Sequence, residues 1–289
     1  MFWVKRAVFV VTLLVVMMVL IGVGVAAVQG KQKPKTNARY VALGSSFAAG
    51  IGLGERAPSS PFVCQRSVNG YPQQLGQLMG YPMVDMTCSG ATIEHVLNGG
   101  QLFQGPQIDA LGPDTELVTI TAGGNDIDYV GDIAATYYRS KGGVFAFVID
   151  RLWHGALPVE ERKFARLKNN MVSTFEEIAR RSPRARIVVI SYPTLLPPQG
   201  TCAQVGVSDT DAALMQAVGA RLVEVTHEAA QRTGAIFVDL ATLSSGHDIC
   251  SADPWVNGAT PEHGTPFHPN FAGAQATANR IQRVLKEKP

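Results

Sequence analysis

The stretch "YVALGSSFAAGIGL", Tyr40–Leu53, begins as an apolar run, stops on Gly44, shows Ser45 and Ser46, and continues as small residues to Gly50. A short apolar run closed by a glycine reads as a buried strand followed by a sharp turn. Two readings of the serines stand side by side. In one they form the turn and nothing more. In the other the strand tip displays a serine for chemistry. The rest of the chain has to decide between them.

Four more apolar runs resemble the first: "MVDMT" (83–87), "ELVTITAGG" (116–124), "RIVVISYP" (186–193) and "AIFVDL" (235–240). Their valines and isoleucines suit strands buried on both faces of a parallel sheet. Helical patterns lie between them. Phe164, Leu167, Met171, Phe175 and Ile178 recur at three- and four-residue steps. Ser208 or Asp209 is placed to cap a helix running to about Thr233, with Gly234 ending it, and Phe271–Lys286 reads as a final helix. Strand–helix alternation predicts a single three-layer α/β/α domain with a mainly parallel central sheet, spanning residues 39–289. The apolar, aromatic-rich stretch Tyr129–Glu160 shows no clean strand. It reads either as packing helices or as a helical insertion beside the site.

Outside that domain lie two short segments. Residues 1–30 carry Lys5 and Arg6 and then no charge from Ala7 to Val28. The run is long enough to span a bilayer, yet "VAA" (25–27) also suits signal-peptide cleavage. Membrane anchor and cleaved signal both remain open, and both export the remainder of the chain. "QGKQKPKTNAR" (29–39) is polar and basic, and residues 31–38 read as a tether.

The 289 residues are 46% hydrophobic and 17% charged, with a net charge of only +2 and no basic stripe interleaved with aromatics. Nucleic acid is therefore not an expected partner. Cys64, Cys88, Cys202 and Cys250 make an even set, which in an exported chain suggests disulfides. Three pairings are possible. Joining sequence neighbours closes two short loops and is the expected choice, although spacing alone does not decide it. A metal reading of His247, Cys250, His263 and His268 lacks any CxxC pair and is set aside. Asp126 and Asp128 read as solvated loop carboxylates rather than calcium ligands.

In parallel sheets ligands sit beyond the carboxyl ends of the strands. Ser46 follows the first strand. Gly90 lies in "CSGATI" (88–93) after the second, and Asn125 in "TAGGNDI" (121–127) after the third. His268 lies in "HGTPFHPN" (263–270), just before the last helix. Each alone has a bland reading. Their joint order resembles the SGNH, or GDSL-like, hydrolases. "ALGSSFAAGIG" resembles that family's first block, Gly90 its second, "GGND" its third and "FHPN" its last. Cysteine placement and "HDICSADPWVNG" (247–258) look like the secreted actinobacterial esterase and lipase branch.

The resemblance implies a flavodoxin-like fold and serine ester hydrolysis without cofactor or metal. It implies Ser46 as nucleophile, His268 as base, and Ser46, Gly90 and Asn125 as the oxyanion hole. It also implies the neighbour pairing, Cys64–Cys88 and Cys202–Cys250. The expected partners are an acyl ester, lipid-like in character, and a membrane reached through the N-terminal segment; a monomer is expected. Competing readings are a glycan O-acyl esterase, an acyltransferase, and a non-catalytic envelope binding domain.

Two positions depart from the family. Ser45 stands where an Asp is usual, so a looser loop is expected. Thr265 stands where many members have the Asp that orients the histidine. A backbone carbonyl can fix the histidine tautomer, though its partial charge stabilises imidazolium less than a carboxylate does. The Thr265 carbonyl is the expected partner of His268, with the Asp248 and Asp253 side chains as alternatives.

Overall fold

The computed structural model describes residues 2–31, 33–36, 38–153 and 155–287. In chain order the elements are α1 (Phe2–Gly30), β1 (Tyr40–Gly44), α2 (Ser46–Ala49), α3 (Tyr71–Met79), β2 (Met83–Asp85), α4 (Ile93–Asn98) and β3 (Leu117–Thr121). There follow α5 (Tyr129–Ser140), α6 (Gly143–Leu152), α7 (Phe164–Arg181), β4 (Arg186–Ile190), α8 (Asp209–Thr233), β5 (Ile236–Val238), α9 (Leu240–Leu243) and α10 (Phe271–Glu287). Each of the five apolar runs contains a strand.

All neighbouring strands pair in parallel, in the order β2-β1-β3-β4-β5. The alternation of side chains along a strand assigns the two faces. Val41, Leu43, Val118, Ile120 and Val189 face the layer that holds α4, α7 and α8. Tyr40, Ala42, Leu117, Val188, Ile190 and Val238 face α3 and α10. The domain is thus α/β in three layers, as the sequence implies. From β1 the chain steps to β2 on one side and to β3 on the other. Strand order reverses there, which opens a crevice at the carboxyl ends of β1 and β3.

Local chemistry sets the helix ends. The Ser208 hydroxyl accepts the Asp211 N–H at 3.1 Å, and Gly234 takes a left-handed φ of 71° to close α8. The five apolar positions of α7 are all buried. Complete burial of a side chain such as Phe175 contributes roughly 2–3 kcal/mol. The stretch after Asn125 forms α5 and α6, held to the core by a buried ion pair. Arg162 meets the Asp132 carboxylate at 2.6 Å, and Trp153 Nε1 donates to its other oxygen at 2.7 Å.

Both disulfides follow the neighbour pairing, Cys64–Cys88 and Cys202–Cys250. Within α1, residues Phe9–Gly30 form a 22-residue apolar stretch with mean hydropathy 2.9. At about 1.5 Å per residue that is roughly 33 Å, enough to cross a bilayer core.

Candidate active site

Ser46 is the first residue of α2, directly beyond β1. Gly44 makes this possible. Its φ is +133°, and a side chain there would collide with the Thr121 backbone. Gly50 closes α2 at a φ of 69°, so the helix lasts a single turn. Ser46 is 8% exposed, with its hydroxyl at the crevice.

His268 Nε2 lies 2.8 Å from Ser46 Oγ. On the other side of the ring, Nδ1 lies 2.8 Å from the Pro266 carbonyl oxygen. A carbonyl only accepts, so Nδ1 carries the hydrogen. Nε2 is then left with a lone pair toward the serine hydroxyl. Burial pushes the imidazole below its ordinary value, and the Pro266 carbonyl partly offsets that shift. The ring is therefore neutral at neutral pH, the form able to take a proton.

The expected Thr265 carbonyl does not serve this ring nitrogen. It accepts the His268 backbone N–H at 3.3 Å and the Asn257 Nδ2 at 3.2 Å. The turn bond from residue 265 to residue 268 uses that oxygen. Phe267, at a φ of 59° and fully buried, curls the chain so that the next carbonyl along, Pro266, meets Nδ1. Neither alternative carboxylate is turned to His268. Asp248 accepts the Cys250 N–H at 2.9 Å. Asp253 lies by His247, its carbonyl 2.8 Å from Nδ1.

The histidine loop is clamped from two sides. Asn257 exchanges backbone bonds with His268 and Phe267 at 2.9 and 3.1 Å. Gly52, at a φ of 79°, lets the loop after α2 approach residues 264–265 closely; an added Cβ would lie 2.7 Å from the Thr265 nitrogen. The serine loop and the histidine loop thus lie directly against each other.

Asn125 begins a single 3-10 turn after β3, and its Nδ2 donates to the Ala91 carbonyl at 2.9 Å. The amide has a second hydrogen. Gly90 precedes Ala91 and takes a φ of 84°, a conformation open to glycine. Cys88 N–H donates to the Gly44 carbonyl at 3.0 Å, so the Gly90 loop is fastened to the strand that presents Ser46. Asp126 is not a solvated carboxylate. Its oxygens accept the Ile93 N–H at 3.0 and 3.2 Å, and burial raises its carboxyl to about 6. Among the described residues there is no group of three His, Cys, Asp or Glu placed to hold a metal.

The loop at Ser45 is tied, not loosened. Ser45 is fully buried, with its N–H on the Thr121 carbonyl at 2.9 Å. Its hydroxyl lies 3.2 Å from the hydroxyl of Tyr192, which accepts the Gly124 N–H at 3.0 Å. The Tyr192 ring packs on Phe47 at 4.5 Å, and Phe47 on His268 at 4.9 Å. Tyr192 is the site residue that sequence reasoning passed over. Its signal was its place, two residues beyond β4 at the carboxyl edge.

Residues 42–276 match the model of the GDSL-like Lipase/Acylhydrolase family. The chain belongs to that family. It is 32% identical to Lipase 2 of Streptomyces coelicolor over 258 residues, covering 85% of each chain. It is 30% identical to a lipase of Streptomyces rimosus, covering 81% of each. Among solved structures, the extracellular lipase of Streptomyces rimosus superposes with a TM-score of 0.67 at 28% identity, covering 84% of this chain and 98% of that one. Phospholipase A1 of Streptomyces albidoflavus gives 0.67 at 26% identity, covering 86% and 98%. Membership makes this GDSL-family chain a carboxylic ester hydrolase of the lipase and esterase kind.

Proposed function

We propose that the protein is an extracytoplasmic serine esterase acting on lipid-like acyl esters through Ser46 and His268. The carrying observation is the 2.8 Å contact between Ser46 Oγ and His268 Nε2, with Nδ1 held by the Pro266 carbonyl. His268 takes the hydroxyl proton while Ser46 Oγ bonds to the ester carbonyl carbon. The carbonyl oxygen becomes an oxyanion, received by the N–H groups of Ser46 and Gly90 and by the Asn125 amide. The carbon–alkoxy bond then breaks, and the Nε2 proton leaves with the alcohol. Water, activated by the same imidazole, releases the acid and restores the serine. The Pro266 carbonyl fixes the tautomer but bears only a partial charge, so the imidazolium has less support than a carboxylate gives.

Two disulfides, an N-terminal apolar helix and similarity to an extracellular lipase support work outside the cytoplasm. The test is turnover of p-nitrophenyl esters of increasing chain length. Wild type hydrolyses them, and Ser46→Ala and His268→Ala do not. Full turnover by either variant overturns the assignment.

A further inference from the structure

At its carboxyl end α1 meets the domain. Gln29 accepts the Phe62 N–H at 2.8 Å through its side-chain oxygen, Ala26 is buried, and a side chain at Gly30 would collide with the Phe103 carbonyl. Phe103 belongs to the 3-10 turn Gln101–Phe103, and Gln101 Nε2 donates at 2.6 Å to the carbonyl of Ser89, the neighbour of Gly90. The helix therefore reaches the domain at the carboxyl edge of the sheet, beside the proposed oxyanion site. Tyr40 starts β1 at the opposite edge, and Lys31, Lys33, Pro34 and Lys35, between the two, lie beside the outer strand β2. A cavity of about 590 Å³ is lined by Lys31, Lys33 and Lys35 on one side and Met83, Val84 and Asp85 of β2 on the other.

Apolar side chains stand exposed around the same edge. Phe62, Leu102 and Phe103 are 53–59% exposed beside the end of α1. Leu102 and Phe103 also take positive φ, at 44° and 68°, which apolar residues seldom do without compensation. On the β3 side, α6, packed on α5, carries Val144, Phe147, Val148 and Leu152 at helical spacing, 44–80% exposed. Its neighbour α5 reaches the site through Tyr137, whose ring lies 6.2 Å from that of Phe267. One apolar rim follows β2 and the other β3, the two strands that flank β1. Beside the α6 stripe the Arg151 guanidinium lies 4.9 Å from the Phe147 ring, a cation next to apolar side chains as at a bilayer interface, and Asp150 is paired with Arg139 at 2.7 Å.

We infer that this edge is a membrane-facing surface. α1 is retained as an anchor, and it holds the domain with its crevice toward the bilayer, where Phe62, Leu102, Phe103 and the α6 stripe enter the interfacial zone. The esters reached are those of lipids in that bilayer. The substrate part of this inference rests on the hydrolase reading above; the orientation does not.

The full chain, reconstituted in vesicles of phosphatidylethanolamine and phosphatidylglycerol, carries a single environment-sensitive fluorophore. It is attached at Phe103→Cys, Val148→Cys or Asp114→Cys, the last in the loop before β3 at the far edge. Quenching by spin-labelled lipid is expected at positions 103 and 148 and not at 114. No quenching at either of the first two, equal quenching at 114, or recovery of a chain cleaved near residue 27 overturns the surface. In the same vesicles, the triple variant Leu102→Ser, Phe103→Ser and Phe147→Ser loses about tenfold on a bilayer-embedded long-chain ester. Its turnover of water-soluble p-nitrophenyl butyrate stays within about twofold of wild type. Equal loss on both esters overturns the lipid-delivery claim. Absence of butyrate turnover in wild type instead removes the hydrolase reading and leaves the quenching result to stand alone.

Discussion

Asn125→Ala removes a side-chain donor and leaves the Ser46–His268 contact untouched. Loss of one such donor lowers kcat by about a hundred- to a thousand-fold, with little change in KM. Steady-state kinetics on a soluble ester check this, and an unchanged kcat takes Asn125 out of the proposed oxyanion site. His268 predicts a pH profile. Its imidazole sits below the ordinary value of 6.5 because burial disfavours the charged form. Activity therefore holds as pH drops through 6.5 and falls only at the lower folded-state value; a half-point above 6.5 contradicts the account. The sign for stability is the same. A depressed histidine contributes stability above its unfolded value, and that contribution is lost as pH falls through the folded one. Tyr192→Phe tests the network at Ser45. It leaves the buried Gly124 N–H without its acceptor, at a cost of about 1–3 kcal/mol. Denaturant unfolding measures this, and no change in midpoint means that the bond contributes nothing.

At the scale of elements, the strands and the long helices were legible because their physics is local. Five apolar runs gave five strands, and Ser208 and Gly234 marked the limits of α8 through cap chemistry alone. The partner of His268 was legible only to within one residue. A sequence shows that a carbonyl near position 265 is in reach. Which carbonyl meets Nδ1 depends on the left-handed Phe267 and on Asn257 engaging Thr265 from another loop. Tyr192 was hidden for the same reason, since its contacts with Ser45 and Gly124 are 147 and 68 residues apart in sequence. Ser45 looked like a weakened position because its usual Asp is missing, yet a distant tyrosine supplies the tie. Cys202–Cys250 closes a 48-residue separation around the segment leading to the histidine loop. By loop-closure entropy its removal costs about 4 kcal/mol. The Cys202→Ala, Cys250→Ala pair should therefore unfold well before wild type, and an unchanged melting temperature contradicts this.

For the whole molecule, the strand order explains why residues from distant positions come to one edge of the sheet. Ser46, Gly90 and Asn125 follow β1, β2 and β3, which are neighbours in the sheet, and all three leave at its carboxyl edge. His268 comes last in the chain and reaches Ser46 across 222 residues through the clamp formed by Asn257 and Gly52. If this arrangement activates one serine, that serine alone reacts with an electrophilic phosphonate. The most direct measurement is the mass of the adduct formed with a fluorophosphonate, mapped by peptide. The expected result is one adduct per chain, on the peptide carrying Ser46, absent in Ser46→Ala and strongly slowed in His268→Ala. An adduct on another residue, or none on folded wild-type protein, contradicts it.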